Sequence, residues 1–294
     1  MKHTKYLFIL IITISTLLAP RTSYSQTTGV VAPGAKIEKL ASGFVWAEGP
    51  TVCPKGNVFF SDNRGKKIFK WSPDGTLSTF KEESRSDNGL LIHTDGILYS
   101  CAGDSKELVS IDWDGNYTTL ADSYDGKPLS APNDLWIDPK GGIYFTDPYW
   151  GRETGRDRVF YLTPDRNAGR KLILVNTDMF NPNGVIGTPD GTRLYVTNYI
   201  ENKTYMFDIN ADGTLSNKSL FAPEGDDGMT IDTEGNIYLT GKTITVYNPE
   251  GVKIDSIEVP ETPANLTFCG KNNKTLFITA RTSVYSIRMR TQGL

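Results

Sequence analysis

Six times along this 294-residue chain an oxygen-bearing side chain stands eight positions before a tight-turn residue, with an apolar stretch between. The pairs are Glu48/Gly56, Asn88/Gly96, Asn133/Gly141, Asn183/Gly191, Asp227/Gly235 and Asn265/Asn273. A spacing that recurs in step along a chain marks equivalent positions in repeated structural units. If the units are set around an axis, those six side chains converge. Carboxylates and carboxamides, with no sulfur and almost no imidazole, suit a hard cation such as Ca²⁺. Asn and Asp also favour turns, so a second reading gives some of the six only the task of shaping a loop. Six in one register, all offering oxygen, favour the shared central site.

Each unit continues in the same way. In the first, Thr51-Val52-Cys53 leads to a turn at Lys55-Gly56, then Val58-Phe59-Phe60, Ile68 to Trp71, a turn at Asp74-Gly75, and Leu77 to Phe80. The third has Leu135-Trp136-Ile137, Gly141-Gly142, Ile143-Tyr144-Phe145, Val159 to Leu162 and Leu172 to Val175. Short β-type stretches joined by Asp-Gly and Glu-Gly turns describe four-stranded antiparallel blades. Repeats of roughly 40–50 residues with this content are the sign of a β-propeller. The chain is therefore read as all-β, a single six-bladed β-propeller over residues 36–294. The sixth repeat lacks an outer strand. Lys36–Leu40, ahead of the first repeat, is expected to supply it, closing the ring and hiding both sheet edges.

Residues 1–25 read as a signal peptide. Lys2 and Lys5 precede an apolar run from Tyr6 to Ala19, and Ser23 and Ser25 place small residues ahead of Gln26. The run is short for a bilayer span, and no Cys follows it to carry a lipid. Residues 26–35 are expected as a flexible lead-in. Cleavage would remove Lys2, Lys5 and Arg21 and no acid, taking the formal charge from −3 to −6. An acidic protein without a basic cluster gives no support for nucleic-acid binding. The expected location is the periplasm or exterior of a bacterium, with no membrane attachment after cleavage. Nothing fixes an oligomeric state, and a monomer or weak dimer is expected. Cys53, Cys101 and Cys269 have no metal-type spacing and read as small buried residues.

Several local motifs, spread over repeats 1, 3, 4 and 5, resemble those of the SMP-30/gluconolactonase/luciferin-regenerating family. They are Ala47-Glu48-Gly49-Pro50, Pro132-Asn133-Asp134, Tyr144-Phe145-Thr146-Asp147-Pro148, Pro182-Asn183-Gly184, Pro189-Asp190-Gly191 and Asp227-Gly228-Met229. The resemblance runs from about Leu40 to the C-terminus. It implies a six-bladed propeller with one divalent cation at the top of the central tunnel, held by Glu48, Asn133, Asn183 and Asp227. Those four already belong to the recurring register. The resemblance leaves Asn88 and Asn265 for the pocket wall. Animal members carry a sugar-contacting Arg two positions before the ligand Asn, where this chain has Ala131. Cys53 stands where many relatives have an aromatic residue. These departures bear on the substrate and leave the implied metal ligands in place.

The implied activity is hydrolysis of a sugar lactone, a small cyclic ester. A divalent cation can polarise the carbonyl, stabilise the oxyanion and acidify a water, and a nearby carboxylate then serves as general base. Asp227 is the first choice for that base, with Asp134 and Asp147 behind it. Asp147, before Pro148, also reads as a turn residue. Expected substrate contacts are Asn88, Asn133, Ala131, Trp150 and Asn265. After cleavage His93 is the only imidazole, so neither a two-His metal site nor a Ser-His-Asp triad is easy to build. Of the tryptophans, most are expected between blades and Trp150 at the pocket rim. Ca²⁺ is the first choice of cation, with Mg²⁺, Mn²⁺, Zn²⁺ or Fe²⁺ as alternatives. Two other functions fit the same fold: a phosphotriesterase-like hydrolase, and a non-catalytic binding propeller with a structural Ca²⁺.

Overall fold

The computed structural model describes Met1 and residues 29–150, 157–165 and 169–294. The leader expected over residues 1–25 otherwise lies outside the described residues. Six four-stranded antiparallel sheets follow one another along the chain, making a six-bladed β-propeller. The inner strands are Ala47–Val52, Asp87–Ile92, Leu135–Ile137, Pro182–Gly187, Met229–Ile231 and Asn265–Cys269. From each, the chain steps outward through adjacent antiparallel partners. The recurring turn residue explains why all six blades begin alike. Its N–H donates to the carbonyl three residues earlier, from Gly56 to Cys53 at 2.8 Å through Asn273 to Gly270 at 3.1 Å. Each of the six has positive φ, from +47° at Asn273 to +83° at Gly141. Glycine takes that conformation freely and Asn tolerates it, which is why these two residue types occupy the position.

The ring closes as expected, with a small shift. Glu38–Ser42 forms the fourth strand of the last sheet, pairing antiparallel with Ser283–Arg288. It starts two residues later than expected, because Ile37 packs into the core between blades 5 and 6 instead. The lead-in makes specific contacts at Val30 and Val31. Val30 is fully buried, its N–H donates to Asp255 Oδ2 at 2.8 Å, and Val31 pairs with Met289. Two apolar residues next to the closing strand are thus tied to blades 5 and 6.

The core is divided into six wedges between neighbouring sheets. Tyr99, Cys101 and Leu108 of blade 2, for example, meet Leu135, Phe145 and Phe160 of blade 3. Phe60 of blade 1 faces Phe277 of blade 6, so the seam at the ring closure is packed like the others. Second strands lie between wedges on both faces. Val58–Asp62, Leu98–Ala102 and Ile143–Asp147 are accordingly buried at every position, their Ser, Thr and Asp side chains included. All three cysteines are buried free thiols. Trp136 sits in a wedge, whereas Trp113 is half exposed against Phe59 and Phe80. Among the described residues, no helix is long and apolar enough to cross a membrane.

Candidate active site

A cavity of about 460 Å³ opens where the leading ends of the inner strands meet. Glu48, Asn88, Asn133, Asn183 and Asp227 line it, one from each of blades 1 to 5. Ala131 and Trp150 are in the same wall. Two expected residues are elsewhere. Asn265 and Asp134 do not line the cavity but meet each other, Asn265 Nδ2 donating to Asp134 Oδ2 at 3.3 Å. Blades 3 and 6 are opposite in a six-membered ring, so this contact spans the axis.

Two local devices bring the register residues together. The first is a glycine directly after four of them. A Cβ on Gly49 would stand 2.0 Å from the Asn88 carbonyl oxygen, and one on Gly184 would stand 2.4 Å from that of Asp227. One on Gly228 would stand 2.1 Å from the Asn265 side chain. Only a residue without a side chain lets adjacent blades approach so closely. In blade 3 the corresponding position is Asp134.

The second device is a buried hydroxyl on the second strand. Ser61 donates to the carbonyl of Asn88 at 2.8 Å, Thr146 to that of Asn183 at 2.6 Å, and Thr197 to that of Asp227 at 2.9 Å. Blades 1, 3 and 4 thereby each hold the backbone of the next blade's site residue. In blade 2 the sequence departs from this pattern: Ser100 bonds Asp87 instead, and the Asn133 carbonyl accepts from the Gly89 N–H.

Buried carboxylates fix the leading loops in turn. Asp62 accepts from the N–H groups of Val45 and Trp46, placing Trp46 beside Glu48. Asp147 does the same for Ser130 and Ala131, and Arg158 clamps it through Nε and Nη2 at 3.0 and 2.6 Å. Burial still holds its carboxyl above the usual range, with Arg158 opposing. Asp147 is therefore a loop anchor, held by a guanidinium and two amides rather than by the turn at Pro148.

Electrostatically the site is acidic. Burial lifts the Glu48 carboxyl to about 7, although Trp46 Nε1–H donates to its Oε1 at 3.1 Å. Burial likewise lifts Asp134 to about 7. Asp227 lies well above the normal range, first through burial and then through the charges of Glu48, Asp226 and Asp134. Arg281 opposes that shift. Among the described residues, the Asp227 carboxylate and the Asn133 and Asn183 carboxamides have no side-chain hydrogen bond to protein. All three line the cavity, and a buried polar group without a partner is otherwise costly. Repelling carboxylates with idle carboxamide oxygens beside them fit a hard divalent cation.

Sequence reading missed Trp46, Arg64, Asp226 and Arg281. Both guanidiniums rest on the Trp46 indole, each 4.0 Å from the ring centroid. They come from blades 1 and 6, far apart in the chain, and no local spacing announces them. The hydroxyls did leave a trace: Ser61, Thr146 and Thr240 each stand thirteen positions after a register residue. His93 lies at the other end of its strand, with Cys53 and Asn273 around a second cavity.

A profile of the SMP-30/gluconolactonase/LRE-like region matches residues 46–282. The chain is 29% identical to the gluconolactonase of Zymomonas mobilis, over 87% of its own length and 82% of that protein's. The structure of a Xanthomonas campestris gluconolactonase superposes with a TM-score of 0.81 at 27% identity, covering 88% of this chain and 91% of the other. The calcium-binding protein regucalcin of Agrobacterium tumefaciens shares the fold, with a TM-score of 0.76 at 20% identity over 87% of this chain and 94% of that one. The chain belongs to the SMP-30/gluconolactonase/LRE-like family.

Proposed function

We propose that this protein is a lactonase that hydrolyses a sugar lactone with the help of one divalent cation, Ca²⁺ being the first candidate. The names of its relatives support the reaction class. The observation that carries the cation is one cavity lined by two carboxylates, buried Glu48 and half-buried Asp227, and by the carboxamides of Asn133 and Asn183, which have no side-chain partner among the described residues. Those four residues would hold it. When bound, it would supply Lewis acidity toward the lactone carbonyl.

The protein's own groups supply the rest. Asp227, without a hydrogen bond among the described residues, is the group free to take a proton from the attacking water. Trp46 orients Glu48 through the indole N–H. Asp134 does not line the cavity and acts through its charge on Glu48 and Asp227, which makes it a positioning residue. Asn88 and Ala131 line the wall, and Trp150 pairs edge-on with Tyr199 at the rim, centroids 5.6 Å apart. We also propose export, with residues 1–25 as the leader and the periplasm or cell exterior as the destination.

The test is a pH-indicator hydrolysis assay on a panel of aldonolactones plus one phosphotriester, in EDTA and then with Ca²⁺, Mn²⁺, Zn²⁺ or Fe²⁺ restored. Metal-restored lactone turnover is expected. Turnover of the phosphotriester alone would replace the proposal by a phosphotriesterase. No turnover at all would reduce the site to a binding function.

A stability measurement checks the cation separately. In the metal-free fold Glu48 binds its proton up to about pH 7, whereas its ordinary value is 4.5. The folded chain then carries more protons than the unfolded one between those values, so stability falls as pH rises through that window. For Glu48 alone the loss is on the order of 3 kcal/mol between about pH 4 and pH 8. A cation binds the ionised form and cancels the loss. Added Ca²⁺ should raise the melting temperature far more at pH 8 than at pH 5. Equal gains at both pH values would contradict the assignment.

A further inference from the structure

We infer that the lactone this site takes carries an anionic substituent, a carboxylate or a phosphate, bound by Arg64 and Arg281 at the cavity mouth. The inference rests on the lactonase reading for the reacting group but on separate residues for the substituent.

Arg64 follows the second strand of blade 1, and Arg281 lies between the second and third strands of blade 6. Ring closure makes these blades neighbours, and both side chains line the same cavity as Glu48 and Asp227. Each guanidinium lies 4.0 Å from the Trp46 ring centroid. A guanidinium resting on an indole uses its face. Its N–H groups point outward in its own plane, a fork that matches carboxylate and phosphate oxygens.

Among the described residues, neither fork has a hydrogen-bond or ion-pair partner. Asp226 and Asp227 feel the charge of Arg281, but neither accepts a hydrogen bond from it. Asp104, in the same wall, is paired with Lys66 Nζ at 2.7 Å. Glu48 takes its hydrogen bonds from the Trp46 indole and the Gly49 N–H. Two like charges against one ring repel each other, and an anion between or beside them relieves that repulsion.

The placement also fixes which part of a ligand they would meet. Trp46 holds both arginines on its ring while its N–H donates to Glu48, so the cations stand one indole away from the floor carboxylates. A cyclic ester reacting at the floor therefore presents a distal substituent to the arginines. The exposed pair Trp150 and Tyr199, on the wall built by blades 3 and 4, offers apolar surface to the sugar ring. An anion at the rim pairs with Arg64 and Arg281, and the buried acids of the floor repel it. The substituent is thus held outward and the neutral carbonyl inward, an orientation a neutral lactone would not receive.

The experiment compares kcat/KM of the metal-loaded protein on gluconolactone, its phosphate monoester and glucarolactone, with Arg64→Gln alongside. A preference of about tenfold or more for at least one anionic lactone is expected, falling with added salt and collapsing toward one in Arg64→Gln. Which of the two is preferred identifies the anion as phosphate or carboxylate. Equal turnover of all three lactones, or a preference that Arg64→Gln leaves intact, would overturn the inference. If no lactone is turned over, the lactonase reading fails, and calorimetry with the open acids decides. Tighter binding of phosphogluconate or glucarate than of gluconate, lost in Arg64→Gln, supports the anion site; equal binding overturns it.

Discussion

Asp227→Asn should lower kcat/KM on the preferred lactone by roughly a thousandfold or more while leaving the metal-free fold as stable as before, or more so. The two halves of that expectation come from the same observation. Asp227 is half-buried within the fields of Glu48, Asp226 and Asp134, and among the described residues no protein donor compensates it. A carboxylate in that setting is held at a cost, and Asn removes the charge while keeping the shape. What is lost is an anionic ligand for the cation and the base for the attacking water. Melting curves and circular dichroism in EDTA, beside kinetics at saturating Ca²⁺, separate the two effects. Activity within tenfold of the parent would remove Asp227 from the chemistry. A collapse of the fold would mean that its charge is structural.

The opposite signs of those effects reflect how the site is made. Glycines and second-strand hydroxyls fix the backbone of the register residues, so their side chains are not needed to hold the blades together. The propeller can therefore tolerate an energetically unfavourable acid cluster at its axis.

This separation also explains what could be read from the sequence. Backbone positions repeat, so the six units, their turns at Gly56 to Asn273 and the closing strand were visible as spacing. The gathering of Glu48, Asn88, Asn133, Asn183 and Asp227 follows from the same spacing. Side-chain partnerships across blades do not repeat. Asp134 occupies the position that glycine holds in four blades and reaches over the axis to Asn265, which no register could show. Trp46, Arg64 and Arg281 meet only because the ring closes on itself. Asp147 looked like a turn residue or a base because its partner Arg158 lies on the following strand. The anchoring of Val30 and Val31 was hidden for the same reason, since their partners are some 225 residues or more away.

Asp147 and Arg158 support the last expectation. The Asp147 side chain is fully inaccessible and that of Arg158 is 12% exposed, so water screens little of their interaction. Removing one partner of a buried pair leaves the other charge stranded, at about 3–5 kcal/mol. Arg158→Met should cost that much and lower the melting temperature by about 10 °C. The substitution also reaches the site. Asp147 holds the Ser130 and Ala131 amides, and Ala131 is cavity wall two residues before Asn133. Turnover should fall with KM rising more than kcat falls, because the wall is loosened while Asp227 and Glu48 keep their places. The double variant Arg158→Met with Asp147→Asn tests the cause. A neutral carboxamide can still accept from the two amides without a charge to strand, so it should recover much of the lost stability. If Arg158→Met costs less than about 1 kcal/mol, or the double variant is no better than the single one, the pair is not what holds this loop.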